Sequence, residues 1–260
     1  MYNTPCGYSF KKGEVDEDRL ISAIKKAVAN HAALKITLDN STGAPMMKPR
    51  NNIEINIPDI KTDDIERAKR EFVKPFDLEK DFLFRFAIIE SEEECFLAMD
   101  FHHIVFDGTS ISVISSEIAL AYDGKELLPE QLTQLDLAVY EERVEDTKEY
   151  KEAKAYYDSI FSGVDVKSDL TEDFAEDKNA ENKPCGEFNI FVNDKLASSK
   201  VDAFTHKLGV TPNTLFLGAY QYAVSKFTGQ SETLICTVNH GRHDSRMQST
   251  VGMMVRTLPL

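Results

Sequence analysis

Two histidines, an aspartate and a glycine lie within seven residues of one another near the middle of the chain, and these residue types can carry acid–base chemistry. His102 and His103 are adjacent, and Asp107 and Gly108 follow them. Side chains alternate along a strand, so two adjacent histidines on a strand point to opposite faces and cannot both bind one metal ion. Two interpretations of His103 remain. A core histidine needs no function, whereas the neutral ring of a buried catalytic histidine can accept or share a proton near pH 7.

The histidines end the second of two apolar runs that predict a β-hairpin. The runs cover residues 82–90 and 95–103, and the acidic segment between them is short enough to form a turn. In the expected register the numbers of paired residues sum to about 185. Arg85 then lies opposite Asp100 as a cross-strand ion pair. His103 ends a wholly apolar face, so we expect it to be substantially buried.

A helix is predicted directly after the motif. Apolar residues recur at helical spacing beyond Gly108, and Gly124 is a plausible stop. Asp107 precedes this helix and is a good N-cap. Capping or ion pairing stabilises a carboxylate in its charged form, which disfavours Asp107 as a base. We expect Asp107 to hold the loop, with Arg85 or Lys35 as possible partners.

The other two residues of the motif are expected to have supporting roles. His102 points away from His103 and is interpreted as structural. Gly108 has no side chain and is expected to let a backbone N–H group or a substrate approach closely.

Strands interleaved with helices along the chain indicate an α/β or α+β layered fold. Residues 162–186 are acidic and poor in apolar side chains, which predicts a linker or crossover. The expected organisation is therefore an N-terminal subdomain over residues 1–161, this linker, and a C-terminal part over residues 187–260. Further helices are expected at 16–33, 62–73, 130–161, 195–208 and 212–228, and short strand-like runs at 8–10, 34–38, 53–57, 187–192 and 233–238.

Composition and charge narrow the classes of partner. The chain is 42% hydrophobic and 28% charged, as in a soluble globular protein. It has no apolar run of membrane-spanning length and no signal-peptide pattern at its start, so we expect a cytoplasmic location and no membrane partner. A formal net charge of −14 argues against a nucleic-acid partner. The four cysteines lack the spacing of a metal site and are expected to be reduced.

Three motifs, in order, resemble those of the condensation domains of nonribosomal peptide synthetases, a family related to chloramphenicol acetyltransferase. Residues 102–108, HHIVFDG, are similar to the HHxxxDG motif of that family. Residues 74–85 contain PFDL followed by LFR, which is similar to the segment that precedes the histidines. Gly241-Arg242 and residues 251–260, VGMMVRTLPL, resemble the GR and TLPL segments.

The chain also departs from the family pattern. It lacks the Ser-x-x-Gln helix that usually begins the domain, and residues 30–35 match the RHxxLR segment only loosely. Arg256 stands where many relatives have Asn. Full condensation domains continue past the TLPL segment, so the resemblance implies a partial domain. We expect a chloramphenicol acetyltransferase-like fold with one complete N-terminal half and an incomplete second half.

The resemblance implies an acyltransferase that forms an amide bond. An acceptor amine attacks an acyl or aminoacyl thioester, and His103 orients or deprotonates the amine or stabilises the charged intermediate. No cofactor is expected in the domain itself. The substrates would arrive on the phosphopantetheine arms of donor and acceptor peptidyl carrier domains, with an adenylation domain adjacent in the same synthetase.

Other functions stay open at the level of sequence. A coenzyme A-dependent acyltransferase acting on an alcohol or amine, or a non-catalytic domain that docks carrier proteins, has the same motif. An epimerization domain fits less well, because that subgroup typically has Trp after the serine of the motif's tail and here Ile111 follows Ser110. The sequence determines neither the donor and acceptor nor whether the chain alone is active.

Overall fold

The computed structural model describes residues 2–51, 53–163 and 198–260. The chain divides into two compact units. The first contains Met1–Ala155 and Asn239–Arg256, and the second contains Tyr156–Val238 and Thr257–Leu260. The segment 239–256 therefore belongs to the first unit, although its position in the sequence is within the predicted C-terminal part.

Most secondary structure of the first unit lies before residue 145, and the motif falls between its longest strand pair and its longest helix. The elements are β1 (Asn3–Lys11), α1 (Glu17–Asn30), β2 (Ile36–Asp39), β3 (Met46–Pro49), β4 (Asp59–Lys61), α2 (Ile65–Phe72), β5 (Phe84–Glu90), β6 (Glu94–His102), α3 (Gly108–Tyr122) and α4 (Gln134–Val144). Short 3-10 turns cover Ala33–Lys35, His103–Val105 and Ser245–Met247. Helix α5 (Lys148–Phe161) runs from the first unit into the second.

A four-stranded sheet with the order β1-β6-β5-β4 forms the centre of the first unit. Strands β5 and β6 are the predicted hairpin, and the predicted register is confirmed, since Arg85 pairs with Asp100 and Phe84 with Phe101. The edge strand expected near residues 8–10 is also confirmed and is longer, because all of β1 pairs antiparallel with β6. Strand β4 runs parallel to β5 at the other edge.

The two faces of this sheet are covered by different helices, as the period-two alternation of apolar residues requires. One face, which includes Phe86 and Met99, packs with α1 and α3 in the main core. The other face, which includes Ala87 and Ile89, packs with α2 in a smaller cluster. The site therefore sits on a hairpin that is buried on both sides, and this burial holds its backbone in place.

Between residues 40 and 57 the structure differs from the prediction. Between the two strand-like runs expected at 34–38 and 53–57, the chain forms β3, which pairs with β2 in a separate two-stranded sheet. The predicted strand 53–57 has no ladder partner among the residues that the structure describes. Its three isoleucines, Ile53, Ile55 and Ile57, still pack against the main core. The alternation there reports one buried face of an extended segment, which is a property that a strand shares with unpaired chain.

The second unit contains α6 (Ser198–Leu208), α7 (Pro212–Thr228) and the two-stranded sheet of β7 (Cys236–Asn239) and β8 (Arg256–Pro259), each strand having one residue in the first unit. Helix α7 begins and ends as predicted, with Thr211 as N-cap and Gly229 in the left-handed conformation. Several of its large apolar side chains are exposed, among them Phe216, Tyr220 and Phe227.

Two predictions lie outside the described residues, namely the strand at 187–192 and all but the first two residues of the linker at 162–186. In the described part of the chain, no helix is long and apolar enough to cross a membrane.

Candidate active site

His103 begins the 3-10 turn that follows β6, and the core fixes both ends of this turn. The ring of Phe101, at the end of β6, stacks on the ring of Phe106 with their centroids 3.7 Å apart. Both rings are fully buried. The backbone N–H of His103 donates to the carbonyl oxygen of Tyr2 at 2.9 Å. The backbone that carries His103 is therefore tied to the core and to the N-terminal segment.

The imidazole of His103 is partly buried. The residue is half-buried, and its Nδ1 is buried without a hydrogen-bond partner among the described residues. Strand β5 begins at Phe84 and β6 ends at His102, so His103 lies just beyond the ladder of these two strands. With Nδ1 inside, Nε2 is the ring nitrogen that solvent or a substrate can reach.

His102 contributes to the turn. Its Nδ1 accepts a hydrogen bond from the backbone N–H of Ile104 at 3.2 Å, and its ring meets the ring of Phe76 edge-on at 6.1 Å between centroids. Burial and the neighbouring His103 lower the pKa of His102. A neutral ring suits this contact, because the accepting nitrogen must be unprotonated. The geometry supports a structural role for His102.

Asp107 caps α3 as predicted. Its Oδ1 accepts from the backbone N–H of Ser110 at 2.9 Å and from the Ser110 hydroxyl at 2.8 Å. Gly108, the first helical residue, is exposed, and a Cβ placed on it would meet no atom within 4 Å in the described part of the protein. No described atom of the protein therefore fills the space beside Gly108.

The ion-pair partner of Asp107 is Arg242, and the predicted partners, Arg85 and Lys35, are wrong. Arg242 Nη1 lies 2.8 Å from Asp107 Oδ2, and Arg242 Nη2 lies 2.9 Å from Asp107 Oδ1. Both side chains are fully buried. Burial raises the pKa of Asp107, but the hydrogen bonds from Arg242, Ser110 and Met254 outweigh it and hold the pKa below its usual value. This fork-to-fork pair fixes the position of α3 relative to segment 239–256.

Arg85 serves the hairpin and the segment before it. Its Nη1 lies 3.3 Å from Asp100 Oδ2 and donates to the carbonyl oxygen of Lys74 at 2.7 Å. Its guanidinium lies 3.8 Å from the ring centroid of Phe76. Asp100 is fully buried, and burial raises its pKa against the opposing effects of Asn3 and Arg85. Lys35 is also occupied elsewhere, since its Nζ donates to the carbonyl oxygen of Ala29.

Residues 250–255, which we call the strap, pass the N-terminal end of α3 in an irregular conformation. Side chains hold the strap in place. Four consecutive backbone N–H groups of the strap, those of residues 251–254, each donate to a different side chain. The acceptors are Glu130 Oε1 at 3.0 Å, Ser110 Oγ at 3.0 Å, Gln134 Oε1 at 3.1 Å and Asp107 Oδ2 at 3.1 Å. Because irregular buried backbone needs partners for its polar groups, these four side chains define the path of the strap.

Gly241 and Arg242 bring the guanidinium under the strap. Gly241 has a φ of +69°, and a Cβ on it would overlap the carbonyl oxygen of Met254. Only glycine fits this position without strain. Arg242 is then placed to donate to the carbonyl oxygen of Thr250 as well as to Asp107. The GR pair of the sequence is thus one device, a close approach followed by a buried cation.

A second buried charge cluster holds the start of the strap. His31 is fully buried, with its Nδ1 2.8 Å from Glu130 Oε1 and its Nε2 3.0 Å from Glu117 Oε2. Burial lowers the pKa of His31, but the hydrogen bonds to Glu117 and Glu130 outweigh it and raise the pKa to about 8. Glu130 binds both His31 and the N–H of Val251, so the charge state of His31 is linked to the strap.

Sequence reasoning brought His102, His103, Asp107 and Gly108 together but missed the residues that hold them from afar. Arg242 carried a signal, because it follows a glycine in a recognisable motif. Glu130 and Gln134 carry none, since they lie in a heavily charged and weakly periodic stretch.

The chain belongs to the condensation domain family, since the family model for the condensation domain matches residues 1–260. Gramicidin S synthase 2 of Aneurinibacillus migulanus is a relative that is 31% identical over 262 residues, which covers 100% of this chain and 6% of the relative. The chain therefore spans only a small part of that relative.

Solved structures show the same fold. The condensation domain from Monacolin K polyketide synthase matches with a TM-score of 0.80 and 18% identity, over 100% of this chain and 62% of that one. The epimerization domain from the third module of tyrocidine synthetase B matches with a TM-score of 0.80 and 18% identity, over 100% of this chain and 63% of that one. The predicted chloramphenicol acetyltransferase-like fold is confirmed, and both neighbours are longer than this chain.

Proposed function

We propose that this chain forms amide bonds as the condensation domain of a peptide synthetase, with His103 at the reacting centre. An acceptor amine attacks the carbonyl carbon of a carrier-bound acyl or aminoacyl thioester. A C–N bond forms, the C–S bond breaks, and the proton that the amine loses ends on the departing thiol. The reaction needs no covalent intermediate on the protein.

The observation that carries this proposal is the environment of His103. Its backbone is fixed by the core, its ring is half-buried, and Nε2 is the reachable nitrogen. No carboxylate in the described part of the chain hydrogen-bonds Nδ1, so His103 lacks the orienting partner of a catalytic triad. We therefore assign His103 the orientation of the amine and the sharing of its proton.

The amine is already an able nucleophile towards a thioester, so holding it in line accounts for much of the rate. Gly108 supports this assignment, since the space beside it is open. Asp107 and Arg85 support it from a distance by fixing α3 and the hairpin.

The proposed substrates and partners follow from family membership. Donor and acceptor peptidyl carrier domains would present their substrates on phosphopantetheine arms, and an adenylation domain would be the neighbour in the same synthetase. The setting would be the cytoplasm. We also propose the division expected from the sequence, with an acyltransferase-like half over residues 1–161, a crossover over 162–186 and part of a second half over 187–260. Segment 239–256 is the exception, because it belongs to the first compact unit.

The test is dipeptide formation followed by intact-protein mass spectrometry of the acceptor carrier. The full polypeptide that contains this chain is mixed with carriers loaded with aminoacyl thioesters, and the same is done for His103→Ala. Transfer by the parent and a loss of about a hundredfold or more in the variant support the proposal. His206→Ala is the matched control, because His206 is an exposed histidine on α6.

Three results would count against it. No transfer by the folded parent across several amino-acid pairs favours a domain that only docks carriers. Transfer from a coenzyme A thioester alone favours the other acyltransferase class. Transfer that His103→Ala leaves unchanged removes His103 from the mechanism.

A further inference from the structure

We propose that Gln134 is a positioning residue that locks the His103 turn to the strap. This inference rests on the proposed function, because its effect on turnover acts through His103. Gln134 does not belong to the HHxxxDG, GR or TLPL segments, and it lies 30 residues from the turn that it contacts.

The start of α4 places Gln134 accurately. Thr133 is the N-cap, and Thr133 and Asp136 form a reciprocal capping box, so the first turn of the helix is fixed. Gln134 is the first residue of α4, and only 4% of it is exposed. A polar side chain buried to this extent needs partners for both ends of its amide.

Both ends have partners, and the partners lie on different segments. Gln134 Nε2 donates to the carbonyl oxygen of Ile104, in the His103 turn, at 3.1 Å. Gln134 Oε1 accepts from the backbone N–H of Met253, in the strap, at 3.1 Å. A primary amide offers a donor and an acceptor at the same time, as this arrangement requires. A carboxylate has only acceptors, and methionine offers no donor.

Gln134 is also the one member of the four strap acceptors that hydrogen-bonds the 3-10 turn. Ser110 and Asp107 hold the strap from α3, and Glu130 holds it from the His31 cluster. Gln134 thus hydrogen-bonds the turn and the strap at the same time. The packing is tight, since a Cβ on Gly252 would come within 2.8 Å of Gln134 Oε1.

The consequence concerns the position of the imidazole. Ile104 follows His103 directly, so a turn that loses its bond to Gln134 relaxes next to the reacting ring. A displacement of about 1 Å at a reacting group can cost about a hundredfold in rate. Loss of Gln134 is therefore expected to lower the maximal rate while leaving carrier binding intact.

The experiment compares Gln134→Met, Gln134→Glu and the control Gln131→Met in the full polypeptide. Gln131 is exposed three residues earlier, so the control makes the same chemical change away from the turn. We expect Gln134→Met to lower the maximal rate of dipeptide formation about tenfold or more, with the KM for the loaded acceptor carrier within about twofold of the parent. Gln131→Met should match the parent.

Gln134→Glu distinguishes positioning from mere packing. A carboxylate keeps the bond to Met253 but repels the carbonyl oxygen of Ile104, whereas a protonated carboxyl donates to that oxygen. The rate of Gln134→Glu relative to the parent should therefore rise as pH falls, and Gln134→Met should show no such recovery.

Amide hydrogen exchange of Met253 checks the strap directly and should quicken in Gln134→Met. An active parent with an unchanged rate in Gln134→Met, or a loss that only follows the folded fraction, would overturn the positioning role alone. A folded parent that forms no amide would overturn the proposed function and this inference with it.

Discussion

His103 and Asp107 stand four residues apart in one motif, yet their surroundings are opposite. Asp107 is fully buried, and both of its oxygens accept hydrogen bonds from α3, Arg242 and the strap. His103 is half-buried, with one ring nitrogen that has no partner in the described part of the chain and another that faces outward. The motif thus combines Asp107, whose oxygens are all hydrogen-bonded, with His103, whose ring nitrogens keep free hydrogen-bonding capacity.

The difference separates Asp107, which fixes the structure of the site, from His103, which we propose acts on the substrate. Both carboxylate oxygens of Asp107 already accept hydrogen bonds, and its charge is balanced by Arg242. A fully paired carboxylate in this position fixes geometry. His103 stands on a rigid backbone but keeps free hydrogen-bonding capacity, which is the condition for a group that acts on a reacting molecule.

The largest effect on stability is expected from removing the ion-pair partner of Asp107. Arg242→Met leaves Asp107 buried without its cation, which typically costs about 3–5 kcal/mol of unfolding free energy. Denaturant unfolding of the variant measures the loss. Arg246→Met is the matched control, because Arg246 pairs with Asp244 at the surface and its loss should change stability little. Equal stabilities of Arg242→Met and its control would refute the architectural role.

The stability of the protein should depend on pH through His31, whose partner Glu130 binds the start of the strap. The pKa of His31 rises from 6.5 to about 8 on folding, so its ion pairs stabilise the protein fully below pH 6.5. This contribution, about 2 kcal/mol, is lost as pH rises through about 8.

The measurement is the unfolding free energy at pH 6 and pH 9 for the parent and for His31→Gln. The parent should lose more stability than the variant over this range. A difference between the two proteins that stays constant with pH would contradict the account.

The cap of α4 should have a smaller effect. Thr133→Ala removes the acceptor for the backbone N–H of Asp136, which is 3.2 Å from the Thr133 hydroxyl oxygen, and should cost about 1 kcal/mol. Thr133→Ser keeps a hydroxyl and should recover most of this loss. Thermal unfolding of the three proteins decides the matter, and a serine variant as unstable as the alanine variant would show that the cap is not the cause.

The smallest effect on stability is expected from removing the ring of His103. His103→Ala removes a half-buried ring whose Nδ1 has no hydrogen-bond partner in the described part of the chain, so the unfolding free energy should change by about 1 kcal/mol or less. Denaturant unfolding under the conditions used for Arg242→Met gives the comparison. A loss as large as that of Arg242→Met would assign His103 to the architecture as well.

The sequence predicted the features that depend on local periodicity. The register of β5 and β6, the cap at Asp107 and the ends of α7 all follow from residues within one or two elements. The edge strand β1 could also be predicted, because its apolar residues alternate along the strand and lie on one face of the sheet.

The long-range partners could not be predicted from the sequence. Arg242 lies 135 residues from Asp107, and only the folded chain shows that it displaces Arg85 and Lys35 as the partner. The half-burial of His103 depends on where β5 begins, and helix and strand ends are the least regular part of any pattern. The strap has no periodicity at all, since side chains hold it in place of a ladder.

The most direct test of the account measures amide formation per folded molecule for His103→Ala and Asp107→Asn side by side. The account predicts that His103→Ala loses about a hundredfold or more at nearly parental stability. Asp107→Asn should lower the unfolding free energy and keep the rate per folded molecule within about tenfold of the parent. An Asp107→Asn protein with parental stability and no transfer, beside an active His103→Ala, would reverse the two roles and contradict the account.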